Sequence, residues 1–138
     1  MAIVQTQCTS FKVELYLGVH DLANNTIKLA LYTGNASLGA DTTNYSTANE
    51  VVASGYTAGG NTLTGVSISS SGYTAIVNWD NTSWTAALTA RCALLYNASQ
   101  GNAAIAVIDF GADKTSTTTF LVTMPANTAT TALIRSSN

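Results

Sequence analysis

Charge is scarce in this sequence. Five basic and seven acidic residues make up 9% of 138, against about 25% in an average domain. With a net charge of −2 and a pI near 4.9, the chain has no clustered Lys and Arg to neutralise phosphates, so nucleic acid is not an expected partner. Proline occurs once and hydrophobic residues make up 46%, which excludes collagen-like and disordered classes. No apolar run approaches the roughly 18 residues of a spanning helix, so no membrane partner is expected. The opening Met1-Ala2-Ile3-Val4-Gln5-Thr6-Gln7 lacks the basic and apolar regions of a signal peptide. Without an export signal, Cys8 and Cys92 are expected as free buried thiols rather than as a disulfide.

Uncharged polar groups take the place of charge. The chain holds 22 Thr, 13 Ser and 12 Asn, a composition suited to pleated strands and tight turns. Its length allows one core. As one domain it would expose about 6,800 Å², or roughly one charge per 570 Å². Proteins that stay apart usually do so through net charge, so a nearly neutral coat suits a subunit that lies against other subunits. It also suits a sugar-binding face.

Residues 1–10 read as an N-terminal arm and 11–138 as a single domain. In the opening segment, Phe11, Leu15, Val19 and Leu22 share a helical stripe although Phe11 to Leu17 also alternate. The reading favours a short helix, capped by Thr9 or Ser10 and ended by Gly18 or by Asn24-Asn25. Period two dominates afterwards. Strands are expected over Ile27 to Tyr32, Leu63 to Ile68, Tyr73 to Trp79, Ala87 to Tyr96, Ala103 to Phe110, Thr118 to Met124 and Thr131 to Arg135, with Pro125 marking a strand end or an edge. Thr33 to Asn49 has no periodicity and reads as a long surface loop. The expected fold is mainly β: a single antiparallel β-sandwich, jelly-roll or Ig-like, with a short N-terminal helix.

Catalytic and metal-binding patterns are weak. Asp109-Phe110-Gly111 matches a kinase magnesium triplet, but the chain is too short for that fold, and a strand ending at a glycine turn explains it. Gly55 to Gly60 lacks the GK[ST] ending of a phosphate loop and precedes a strand instead of a helix. His20 beside Asp21 has no GxSxG serine to activate. Cys8, His20 and Cys92 are too scattered for a metal set. Asp109 and Asp113 could form an acid pair, though carboxylates flanking a turn are usually solvated. Asn-X-Ser/Thr triplets at Asn24, Asn35, Asn44, Asn81 and Asn97 compare with about three expected by chance, and glycosylation would need a secretory route. No catalytic residue, cofactor or metal is expected, and the chain is not read as an enzyme. Trp79 and Trp84 bracket Asp80 to Ser83, where two indoles could fill the core, anchor an interface or stack on a sugar.

Phe11-Lys12 with Glu14-Leu15 and Gly18-Val19-His20, then Ile27-Lys28-Leu29-Ala30-Leu31-Tyr32, resemble the opening of small proteins encoded in structural modules of tailed bacteriophages. The resemblance continues through Glu50-Val51, Gly55 to Gly60 with Leu63-Thr64, Trp84-Thr85, Ala90-Arg91 with Ala93 to Asn97, and Asp109 to Lys114. It departs at Cys92, where a glycine would be expected. It implies a virion structural protein, assembled in the cytoplasm of the host bacterium. The first expectation is a capsid decoration or cement subunit, a homo-oligomer on the major capsid protein. The second is a neck, tail or fibre module that recognises surface sugars. Candidate contacts are the arm, the Thr33 to Asn49 loop and the Trp79–Trp84 turn, with Trp79, Trp84, Tyr45, Tyr56 and Leu38 as the interface residues.

Overall fold

Strands that alternate apolar and polar residues need a second surface to cover them, and the most apolar segments here find it in one another. A computed structural model describes residues 3–137. Its elements in chain order are β1 (Thr6–Gln7), α1 (Thr9–Tyr16), β2 (Ile27–Tyr32), β3 (Asn61–Thr62), β4 (Ser67–Ser71), β5 (Thr74–Asn78), β6 (Thr82–Trp84), β7 (Thr89–Asn97), β8 (Ala103–Thr115), β9 (Phe120–Val122) and β10 (Ile134–Ser136). The fold is mainly β, with antiparallel sheets and one short helix, as the sequence pattern implies. A five-stranded sheet runs β1-β8-β7-β2-β3, a three-stranded sheet β10-β5-β4, and β6 pairs with β9. Together they form an open sandwich whose sheets do not close.

The core lies where β2, β7 and β8 meet the smaller sheets. Leu29, Leu31, Leu94, Leu95, Ile105 and Val107 are almost fully buried, joined by Phe11 of α1 and by Trp79, Trp84 and Phe120. The helix packs on β8. Its start is Cys8, in extended conformation and without a side-chain cap bond, in place of the expected Thr9 or Ser10. Its end is as expected: Gly18 follows Leu17 at φ +75°, the left-handed conformation that glycine adopts without steric cost.

Several boundaries differ from the sequence reading. Residues 3–10 do not form a free arm, because β1 pairs with β8, Ile3 bridges to Leu38, and Cys8 is fully buried. Leu63 to Ile68 is not one strand, since residues 63–66 separate β3 from β4. Strand β8 does not stop at the Asp109-Phe110-Gly111 turn. It resumes beyond Gly111 because β7 is long enough to pair Ala90 with Lys114 and Thr89 with Thr115, while residues 110–113 of β8 bulge opposite Arg91 with Gly111 at φ +82°.

The aperiodic chain after β2 has a structural task. Val51 donates its N–H to the Leu31 carbonyl, the Leu31 N–H goes to the Tyr56 hydroxyl, and the Leu63 N–H goes to the Ile27 carbonyl. The returning chain thus covers the edge of β2 that β7 leaves open. Gly60 lets it come this close: its φ is +77°, and a Cβ there would lie 1.8 Å from the Leu29 carbonyl oxygen.

Candidate interaction surfaces

Glu50 organises the returning loop. It is a buried acid, 7% exposed, and a carboxylate removed from water must be compensated by donors. Tyr45 and Tyr56 each donate a hydroxyl proton to it at 2.6 Å, and the Gly59 N–H donates at 2.8 Å. Tyr96 donates to the Gly59 carbonyl at 2.6 Å and stacks on Tyr45 with ring centroids 4.6 Å apart. Tyr32 donates to the Ser46 carbonyl. Burial, followed by the nearby Glu50 charge, raises the Tyr96 pKa to about 12. Burial and the Glu50 hydrogen bonds push Tyr45 and Tyr56 higher still. All of these phenols are neutral donors at physiological pH, and the cluster acts as a polar lock on the loop.

The residues proposed for an interface therefore divide by burial. Trp79, Trp84 and Tyr56 are 5%, 4% and 8% exposed and belong to the core. Trp84 packs against Tyr56 at 5.7 Å and Phe120 at 6.5 Å. The two tryptophans do not flank a hairpin either, because β6 pairs with β9 and not with β5. Their apolar area is spent on joining the small sheets to the large one, which leaves no indole face outside. Tyr45 and Leu38 are half-buried, Tyr45 in the Glu50 cluster and Leu38 against the Ile3 segment.

His20 has partners other than Asp21. Its ring is buried against Phe11 at 5.0 Å, Nε2 lies 2.9 Å from Glu14 Oε1, and Nδ1 lies 2.9 Å from the Asn97 side-chain amide. An amide N–H can only donate, so Nδ1 accepts and Nε2 carries the proton given to Glu14. Both nitrogens are engaged inside the protein, an arrangement that ties α1 to β7. Asp21 instead accepts from the Ala23 N–H and the Asn24 amide. Cys8 and Cys92 are free and buried. Desolvation raises both thiols to about 11, with smaller additions from Asp41 and Asp109 respectively. Asp109 lies 3.3 Å from the Arg91 guanidinium and accepts the Gly111 N–H. Among the described residues, no three His, Cys, Asp or Glu side chains gather as a metal set.

No family model, curated protein or solved structure matches this chain. Its surface is the remaining guide. Helix α1 turns Val13, Tyr16 and Leu17 outward, 54%, 90% and 72% exposed. These positions stand at i, i+3 and i+4 and so share one side of the helix. Of the Phe11, Leu15, Val19 and Leu22 stripe, Phe11 and Leu22 lie inside and Leu15 is 38% exposed. A helix with apolar groups on two sides has one face in the core and another facing water. The spacing of Val13, Tyr16 and Leu17 was readable in the sequence, but the alternating pattern across the same residues obscured it. No helix is long and apolar enough to cross a membrane among the described residues.

Proposed function

We propose that this protein is a structural subunit of a tailed-bacteriophage virion, and that it decorates and cements the assembled capsid. The observation that carries the reading is the Val13, Tyr16 and Leu17 stripe on a chain with 9% charged residues. The ordered resemblance of Phe11 to Lys114 to small phage structural proteins supplies the setting. Each apolar side chain moved from water into an interface contributes about 1.5–3 kcal/mol when fully buried. Repetition over many capsid sites turns a modest contact into substantial reinforcement. A subunit that binds the closed shell better than its separated parts stabilises the shell by mass action.

The favoured partners are the major capsid protein and further copies of this chain, with the virion as the site of action. The sugar-recognition reading loses its supporting feature, since Trp79 and Trp84 are buried. Electron cryomicroscopy of the intact particle tests the proposal. Density for this fold on the capsomers is expected; density found solely at the neck, tail or fibres would overturn the capsid role.

A further inference from the structure

The open side of the sandwich forms a continuous trough. Three cavities of about 500, 430 and 460 Å³ lie in series; the first two share Gln5, Ile108 and Leu133, and the last two share Gln7, Lys12 and Arg135. The walls are strand edges and, at one end, Lys12, Leu15 and Tyr16 of α1. β1 covers β8 only through its pairs at Ala106 and Val107, β9 pairs with β6 alone, and β10 pairs with β5 alone. Eight residues of β8, 108–115, extend past the last β1 pair, but they stand opposite only Thr89 to Ala93 of β7 because residues 110–113 bulge, with Gly111 at φ +82°, so this free edge spans about 17 Å at ~3.4 Å per residue.

Side chains partly occupy the place of a missing strand. The Asp109 N–H donates to the Gln5 side-chain carbonyl at 3.1 Å, and the Gln7 side-chain amide donates to the Arg135 carbonyl at 2.9 Å. A glutamine amide presents the same donor and acceptor as a peptide group. An incoming segment alongside residues 108–115 could replace the Gln5 contact with its own backbone. Phe110, Leu121 and Leu133 supply apolar lining for alternate side chains of such a segment.

Charge identifies the occupant. Lys12, Lys114 and Arg135 line the trough, three of the five basic residues, whereas no acidic residue lines it among the described residues. Ile108, Phe110 and Lys114 line the trough, while Asp109 lies by Arg91 and Asp113 lies toward Gly34. We propose that the trough binds an extended acidic segment of a partner polypeptide, which lies alongside residues 108–115 of β8 with its carboxylates toward Lys12, Lys114 and Arg135. A second copy does not meet this description: β8 is the one strand of this chain that carries acids, and residues 1–10 carry none. The proposal goes beyond the virion role and does not depend on it.

A test uses the purified full chain and three labelled decapeptides alternating valine with aspartate, threonine or lysine. In fluorescence anisotropy at low salt, the aspartate peptide should bind at least tenfold more tightly than the others, with most of that advantage lost in 0.5 M salt. Hydrogen exchange at residues 108–115 should slow when it binds. Lys114 and Arg135 are exposed, so K114E and the double variant K114E/R135E should remain folded by circular dichroism and weaken binding at least threefold and tenfold. Equal binding of the three peptides, no binding at millimolar peptide, or undiminished binding by folded K114E/R135E would each overturn the proposal. Because no particle enters the assay, its failure would leave the capsid role to be decided by microscopy.

Discussion

At the scale of single residues, Glu50 concentrates the most consequence in one side chain. Its carboxylate accepts from Tyr45, Tyr56 and Gly59, so Glu50→Ala leaves those donors without their acceptor. The expected loss is ~2–4 kcal/mol of unfolding free energy. Tyr56→Phe should cost more than Tyr45→Phe, since the Tyr56 hydroxyl also accepts the Leu31 N–H. Urea denaturation of the three variants measures this order. Cys8 and Cys92 give a pH prediction: their thiols rise from 9.0 to about 11 on folding. Above pH 9 the unfolded chain releases these protons while the folded chain still holds them. Stability contributed by the neutral thiols is therefore full below pH 9 and lost between pH 9 and 11, with Tyr96 extending the decline towards pH 12. Denaturation midpoints measured from pH 7 to 11 should stay level on this account and then fall; a midpoint still level at pH 11 would contradict it.

At the scale of elements, the covered edge of β2 and the outward stripe of α1 show how local patterns acquire their use. Gly60 stands where the chain crosses β2 at φ +77° with no room for a Cβ. Gly60→Ala must displace either this crossing or Leu29, and should destabilise the protein by roughly 3 kcal/mol or more. Thermal unfolding checks the size of the effect, and hydrogen exchange should place the loss along β2 and its edge. The α1 stripe behaves in the opposite way. Val13, Tyr16 and Leu17 are exposed, so replacing all three with Ser should alter the thermal midpoint by only a few degrees.

For the whole molecule, the same triple variant separates folding from assembly. If α1 docks on the capsid, the variant should stay folded yet bind purified shells at least tenfold more weakly in co-sedimentation. Shells carrying the wild-type chain should withstand higher temperature than bare shells, and shells mixed with the variant should not. Equal protection by the two proteins would remove α1 from the proposed contact. Tyr16 of the α1 stripe also lines the third cavity of the trough, so the two proposed contacts adjoin on α1 and the triple variant should be assayed for peptide binding as well as for shell binding.

Much of the local structure was already legible in the sequence. The alternation of Ile27 to Tyr32 specified β2, Gly18 specified the end of α1, and an abundance of Thr with little charge specified a mainly β fold. These features arise from backbone sterics and from side chains along one short segment. What lies across the chain was decided only by tertiary structure. The pairing of β6 with β9 placed Trp84 inside, the length of β7 carried β8 past Gly111, and the return of the loop made Glu50 the centre of a tyrosine cluster. Burial and edge pairing depend on which distant segments meet, and a periodic pattern records that a face must be covered without recording by what.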